Sequence, residues 1–461
     1  MASLIKANSP GYNKDLDYNI YWANDRGERL MEIEKVLGFN YVKAVQSVGP
    51  FEIMIPYEKG FETGRDYQIQ FWRKPYGSSV SKMDYFGFAR TFGRKSSGGN
   101  AVMTIRGFDP MYLLEGRIVA YQTGTAEASS TDYAGDMMKE AVRTNIINDE
   151  DYGGSGLTPP RTMTDFEVAA DLGDGPSITR AFSWDDLLGM LKDTHEASVI
   201  AAGDSGTGVY FGINTSLGDG NKPTFLFYTS TGQPGADRTG KTMLSFENGS
   251  VAEAEFVQDY SQEVTVVYAG GQGTKDNRTI SKQSSSTRYN ASRYNVREAF
   301  AWGTMAETAA GVAGEAYKRL NEGRGREMLQ ITIQDSELVR YQLDWNVGDK
   351  ISYDVLDVQG DEIVRSVGVS VSSDGERLTT RLEQGALIGS PEERRDYEII
   401  KLKRGLTRQY SREDTLYKGT GSAVPTTTEL PNHGMYYLYD NGIARRAYYN
   451  LAGTIRNVTL T

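Results

Sequence analysis

The string Gly235-Ala-Asp-Arg-Thr-Gly240-Lys241-Thr242 has the spacing of a phosphate-binding loop, in which glycine-rich backbone amides and a lysine hold nucleotide phosphates. That chemistry needs a helix directly after the threonine, because the helix N-terminus supplies the amides and the dipole. Here Met243-Leu-Ser-Phe-Glu-Asn-Gly249 reads as a strand running into an Asn-Gly turn, so the string predicts a turn between strands. Gly203-Asp-Ser-Gly206 has the look of a serine nucleophile, which needs a histidine base oriented by an acid. His195 precedes Ser205 too closely and His433 follows it, so neither order suits that arrangement, and a Gly/Asp/Ser turn accounts for the string.

Asp185-Asp186, Asp149-Glu-Asp151 and Glu392-Glu393 are adjacent acids of the kind that divide acid and base roles in glycoside cleavage. Sequence spacing makes none of them converge, and they read as solvated turns or helix starts. The absence of cysteine excludes disulfides, thiolate zinc sites and thiol nucleophiles, and the two histidines lie in no metal-ligand spacing. An oxygen-only calcium site in an acidic loop stays open, without a recognisable ligand loop. Tyr436, Tyr437, Tyr439, Tyr448 and Tyr449 could form a glycan- or protein-binding face, or an ordinary edge hairpin. No catalytic, cofactor-binding or metal-ligating residue is assigned on these grounds, and no cofactor is expected.

The elements that would carry these residues are mostly strands. The 461 residues suggest about three compact units at ~150 residues each. Fifty-one glycines, 13 prolines and 29 tyrosines favour short strands joined by tight turns. A net charge of −11 disfavours a sequence-reading nucleic-acid protein, which would release counterions with the opposite sign. The first residues contain no apolar run of signal length, and no segment reaches the roughly 18 apolar residues of a membrane span, so a soluble chain without an export signal is expected.

Along the chain, residues 1–108 read as a first β-barrel, with a hairpin turned at Asn24-Asp-Arg-Gly27. Residues 109–162 read as a helical linker, including a helix over Ser130–Arg143 capped by Ser130 or Thr131. Residues 163–295 read as an α+β middle domain with part of a second barrel, its helix starting at Ser183-Trp-Asp-Asp186 and its polar stretch 270–287 forming a long loop. Residues 296–388 read as an Ala-rich helix, about Arg297–Asn321, followed by the second β-barrel. Residues 389–461 form a C-terminal extension with a charged helix from Ser390-Pro-Glu-Glu393 and a Tyr-rich hairpin around Asp440-Asn-Gly442. The fold class is β-rich α+β, with two small barrels, helical linkers and an intervening α+β domain.

Several strings in this order resemble the tail hub family of siphophages, relatives of the baseplate hub of contractile phage tails. Gly107-Phe-Asp-Pro-Met-Tyr-Leu-Leu-Glu-Gly-Arg-Ile118 is similar to the family's glycine-aspartate step after the first barrel. Asp237-Arg-Thr239 with Leu244-Ser-Phe246 and Asn248-Gly249 resembles its middle-domain strand pair, and Val266-Val-Tyr-Ala-Gly-Gly-Gln-Gly273 its strand entering a glycine-rich loop. The helix before Gly323, then Tyr341 and Trp345-Asn-Val-Gly-Asp349, resemble its entry into the second barrel. The likeness covers roughly residues 15–388 and leaves 389–461 unexplained.

The resemblance implies a non-enzymatic structural protein of the virion, assembled in the host cytoplasm. Three copies would make a pseudo-sixfold ring at the distal end of the tail, adapting the tail tube to a threefold tip. Implied partners are the distal tail protein, the tape-measure protein C-terminus and a central fibre or spike. DNA would pass through the channel without specific binding, and no membrane insertion is implied. The rival expectations are a virion-associated cell-wall hydrolase and a glycan- or receptor-binding tail-tip protein.

Overall fold

A computed structural model describes residues 17–97, 100–120, 128–148, 161–182, 184–202, 208–271, 278–302, 309–373, 375–384, 436–440, 445–451 and 454–460. The chain divides into two compact units, Met1–Ile388 and Gly389–Thr461.

In the larger unit, seven strands between residues 18 and 108 and six between 243 and 384 join in one 13-stranded sheet. Its main path runs Val251–Asp259, Arg326–Ile333, Gly375–Gln384, Val358–Ser372, Gly38–Ala44, Pro50–Pro56, Asn100–Phe108, Lys82–Ser97, Gln68–Arg73, Tyr18–Ala23 and Arg29–Glu32. Lys350–Val355 branches from Val358–Ser372 and pairs in turn with Met243–Ser245. Two separate barrels were expected; no pairing among the described residues closes either half, and both contribute to one sheet. The reason lies in Gly38–Ala44, a strand the sequence reading did not single out. It pairs antiparallel with Val358–Ser372, from Phe39 opposite Val371 to Ala44 opposite Ser366, so each half satisfies backbone groups the other would leave open.

The alternation of apolar residues puts Phe51, Ile53 and Ile55 from the first half and Ile331, Val367 and Val369 from the second into a single core. The Asn24–Gly27 turn forms as read: Asn24 Oδ1 accepts the N–H groups of Arg26 and Glu28, and Gly27 takes φ +80°. The long strand Lys82–Ser97 serves two cores. Tyr85 and Ala89 face the sheet core, whereas Phe86 and Phe88 face a second one.

That second core holds Met137, Met138, Leu187, Leu191, Phe211 and Phe227 between two helices, Ala134–Val142 and Leu187–Ala202, and a three-stranded sheet of Val209–Leu217, Pro223–Thr231 and Phe166–Val168. The helix expected from Ser130 begins only at Ala134, because Ala128–Tyr133 is a strand paired with Ser177–Phe182. Thr131 therefore meets Thr179 across the ladder, Oγ1 to Oγ1 at 2.8 Å, and caps nothing. The next helix is capped by Asp186, whose Oδ1 accepts the Gly189 N–H at 2.7 Å; Ser183 lies outside the described residues.

A third assembly differs most from the sequence reading. The Ala-rich segment supplies a strand, Glu298–Trp302, before its helix at Ala309–Glu322. The strand runs parallel to Val266–Gly270, and the stretch read as a loop provides the partner strand Ile280–Ser284 and a short helix, Ser286–Asn290. Val267, Ala269, Ala299 and Ala301 pack on Val312, Ala316 and Leu320, where small residues let helix and sheet approach.

In the smaller unit, Tyr436–Asp440, Arg445–Leu451 and Thr454–Leu460 form an antiparallel sheet, with Asp440 opposite Arg445 beside the expected turn. The expected helix at Ser390–Glu393 lies outside the described residues.

Candidate functional site

A group of eight chemistry-bearing side chains converges where the two halves of the large sheet meet, apart from a smaller one in which the buried Lys139 meets Asp136 and Asp174. Arg73 continues the inward parity of Ile69 and Phe71, so a guanidinium ends up where an apolar side chain is the rule. Its Nε donates to Glu376 Oε1 at 2.7 Å, and Nη2 donates to Glu376 Oε2 at 2.9 Å and to Asp335 Oδ2 at 2.6 Å. Nη1 reaches the Tyr341 carbonyl at 3.4 Å. Glu376 is presented at the start of Gly375–Gln384, and Asp335 lies just beyond Arg326–Ile333, where its Oδ1 accepts the Tyr341 N–H at 2.8 Å. The Tyr18 hydroxyl donates to Glu376 Oε1.

A second carboxylate sits beside the first group. Asp84 accepts from Tyr41 at 2.6 Å, Lys43 at 2.8 Å and Tyr341 at 2.9 Å. Tyr18, Tyr41, Lys43, Arg73 and Asp84 come from the first half, and Asp335, Tyr341 and Glu376 from the second. Burial works against the Asp84 charge, yet Lys43 and Tyr41 hold its carboxyl below the usual range. Burial pushes the Glu376 carboxyl up, against the pull of Arg73. Burial also opposes the Arg73 charge, but Glu376 outweighs it and keeps the guanidinium protonated. Burial, with Glu376 or Asp84 alongside, raises all three tyrosines.

Every carboxylate oxygen of Asp84, Asp335 and Glu376 thus has a donor, and the Arg73, Asp335 and Glu376 side chains have almost no solvent exposure. The arrangement offers no access to a substrate. What it does is mechanical: removing one member of such a group leaves a buried charge uncompensated, so the halves are held in one register. Its only sequence signal is a charge at an inward strand position, as at Arg73.

The sequence-derived candidates do not join this site. In the phosphate-loop string, Asp237 caps Thr239, the Arg238 N–H bonds the Lys350 carbonyl, and the buried Thr242 donates to the Asp344 carbonyl at 3.2 Å. A strand, Met243–Ser245, follows, so the helix that phosphate binding requires is missing. His195 is buried, with Nδ1 donating to the Val209 carbonyl at 2.7 Å and its ring 4.7 Å from that of Tyr210. Burial pushes its imidazole down to about 4. Residues 203–207, His433, Asp149–Asp151 and Glu392–Glu393 lie outside the described residues, as do the side chains of the Tyr-rich strands. Among the described residues no group of three or more acids and histidines could hold a metal ion, and no helix is long and apolar enough to cross a membrane.

Comparison with known proteins adds the decisive observation. The sequence matches the Siphovirus ReqiPepy6 Gp37-like protein family over residues 87–383, well over half of the chain, from the last two strands of the first half of the large sheet through its second half. The chain belongs to this family.

No curated protein matches it. The fold is similar to that of the 43 kDa tail protein of prophage MuSo2 from Shewanella oneidensis, with a TM-score of 0.51 at 10% identity, covering 79% of this chain and 98% of that one. A tail protein from Neisseria meningitidis MC58 aligns with a TM-score of 0.48 at 12% identity, over 80% of this chain and 96% of its own. Prophage tail protein gp18 from Listeria monocytogenes EGD-e aligns with a TM-score of 0.44 at 9% identity, over 85% and 98% respectively. This family member is therefore a mostly β-sheet protein with the fold of a phage tail protein.

Proposed function

We infer that this chain is a structural protein of a siphovirus tail, and that it forms a trimeric, pseudo-sixfold hub ring at the distal end, around the channel through which DNA leaves. The observation that carries the reading is the family match over residues 87–383, which runs from the last two strands of the first β half through the whole second half, the two halves being locked together by one continuous sheet and one buried ionic group. A subunit made of two fixed β halves is a suitable unit for adapting a sixfold tube to a threefold tip, and closed rotational symmetry is the usual outcome for homo-oligomers. Its neighbours in this reading are the distal tail protein, the tape-measure protein C-terminus and a central fibre or spike, within a virion assembled in the host cytoplasm. The chain works without enzymatic activity or cofactor. Its acidic balance of −11 suits a channel that DNA must cross without sticking.

The rival hydrolase and glycan-binding readings draw nothing from the site, because the convergent carboxylates are sealed and fully engaged. Light scattering on the purified chain tests the ring: particles near three times 51.0 kDa, with ring-shaped class averages, are expected. A chain that stays monomeric at high micromolar concentration, alone and with its tail neighbours, overturns it.

A further inference from the structure

Strand parity in Val209–Leu217 and Pro223–Thr231 puts Phe211 and Phe227 in the second core, and Tyr210 with its cross-strand partner Ser230 on the opposite face. On that face Tyr210 meets the large sheet. It packs in a small cluster with Val45 and Ile363, and its hydroxyl accepts a hydrogen bond of 3.4 Å from Arg365 Nη2. The Arg365 guanidinium carbon lies 5.4 Å from the centre of the Tyr210 ring.

Polar atoms without partners gather along this seam. Arg365 is only 8% exposed, its Nη1 has no hydrogen-bond partner, and it forms no ion pair among the described residues. The nearest acid along its strand, Glu362, accepts the Ile363 N–H at 3.3 Å instead, and burial pushes that carboxyl up. Ser230 Oγ is buried and unpartnered. The Val45 N–H donates to the Arg365 carbonyl at 2.9 Å, so the next residue, Gln46, is held at the same seam. Gln46 is 2% exposed, and neither polar atom of its side-chain amide has a partner. Its backbone takes φ +55°, a conformation that a residue other than glycine keeps only where the surroundings impose it. His195 Nε2 is unpartnered too, but with Nδ1 donating to Val209 it is an acceptor.

Water satisfies hydrogen bonds but brings no charge. A guanidinium keeps its charge in proteins, and a buried charge is costly unless an opposite one accompanies it. The Ser230 hydroxyl and the Gln46 amide can both donate, so with Arg365 Nη1 the seam offers three kinds of donor around one uncompensated positive charge. We propose that this seam binds a monovalent inorganic anion, chloride being the probe that matches a single guanidinium, with Arg365 as its anchor and Ser230 and Gln46 as further donors. The bound ion ties the three-stranded sheet to the large sheet as a structural counter-ion. It is independent of the ring and of the Arg73 group.

The test is thermal unfolding of the full chain at constant ionic strength and neutral pH, with gluconate exchanged stepwise for chloride or for phosphate, for wild type, Arg365→Met and Ser230→Ala. Methionine keeps the apolar stem and brings no charge to bury, so circular dichroism should show a folded protein. General salt effects act on every variant alike, so the reading is the difference between them. Expected is a wild-type midpoint that climbs with chloride by about 2 °C or more relative to Arg365→Met, and a smaller climb in Ser230→Ala. Equal chloride responses in wild type and Arg365→Met overturn the site, and a response to phosphate alone overturns the monovalent assignment. Crystals of the wild-type chain grown in bromide answer without a variant. Anomalous density at hydrogen-bond distance from Arg365 Nη1 supports the proposal, and its absence there overturns it.

Discussion

Arg73 donates two hydrogen bonds to Glu376, at 2.7 and 2.9 Å, although 303 residues of chain separate them. Both side chains are sealed from water, and one belongs to each half of the large sheet. Loop closure over that distance costs entropy, so the pair forms only when the rest of the fold has brought the halves together.

The ion pair therefore reports on the joint. Glu376→Gln leaves the buried guanidinium with Asp335 as its one anionic partner, and we expect a loss of about 3–5 kcal/mol. Urea unfolding followed by tryptophan fluorescence should show a lower midpoint. A midpoint equal to that of wild type would show that the two halves do not depend on the pair.

Gly107 opens the string that first suggested a tail hub, and geometry gives it a reason. A Cβ there would lie 1.8 Å from the Phe88 carbonyl oxygen and 2.7 Å from Phe51 Cε1, beside the bulge between Ala89 and Thr91. Gly107→Ala forces the two longest strands of the first half apart and should cost about 2–3 kcal/mol. Gly93→Ala, in the same strand pair with only ordinary contacts for its Cβ, is the control and should be near neutral or stabilising. Equal melting temperatures for the two variants would refute the steric account.

These residues also show what the sequence discloses. Local signals were legible: the Asn24–Gly27 turn, the alternation in Pro50–Pro56 and the strand after Thr242 all appear, because each depends on a few adjacent side chains. The joint was not legible. The partner of Gly38–Ala44, Val358–Ser372, lies more than 300 residues on, so nothing local announces that they pair. The Ala-rich segment misled for a related reason. Alanine favours a helix by itself, yet in Glu298–Trp302 the alternation of Ala299 and Ala301 with Phe300 and Trp302 fits a sheet whose inner face needs small residues. Of the buried ionic group only Arg73, a charge at an inward strand position, leaves a local sign, because Arg73, Asp84, Asp335 and Glu376 share no motif and converge only in the fold.

His195 makes the molecule acid-sensitive. Burial lowers its imidazole from 6.5 to about 4, with Arg365, which also lies against the Tyr210 ring, adding repulsion. The folded state therefore disfavours the proton that the unfolded chain accepts below pH 6.5. This contribution is complete above pH 6.5, declines as pH falls, and is lost by about pH 4, a total of about 3 kcal/mol. His195→Gln should flatten that slope. The check is the difference between wild-type and variant urea midpoints at intervals from pH 7.5 to 4; a constant difference across the range contradicts the assignment.

Asp109 works in the opposite direction. The residue is half-buried, but its carboxyl is turned inward, where Oδ1 accepts the Met111 N–H at 3.1 Å at the entry to a short helix, Tyr112–Glu115. Burial pushes this carboxyl up to about 8, with the amides of Gly49 and Met111 opposing. The folded state thus keeps a proton that the unfolded chain releases near pH 4, so stability falls as pH rises from about 4 to 8. Asp109→Asn keeps the acceptor for Met111 and has no charge to bury. It should be more stable than wild type at pH 8.5 and lose that advantage progressively towards pH 5. Thermal melts of the two proteins across this range decide the matter: an Asn variant less stable at every pH would mean that the native carboxylate is charged and needed as such.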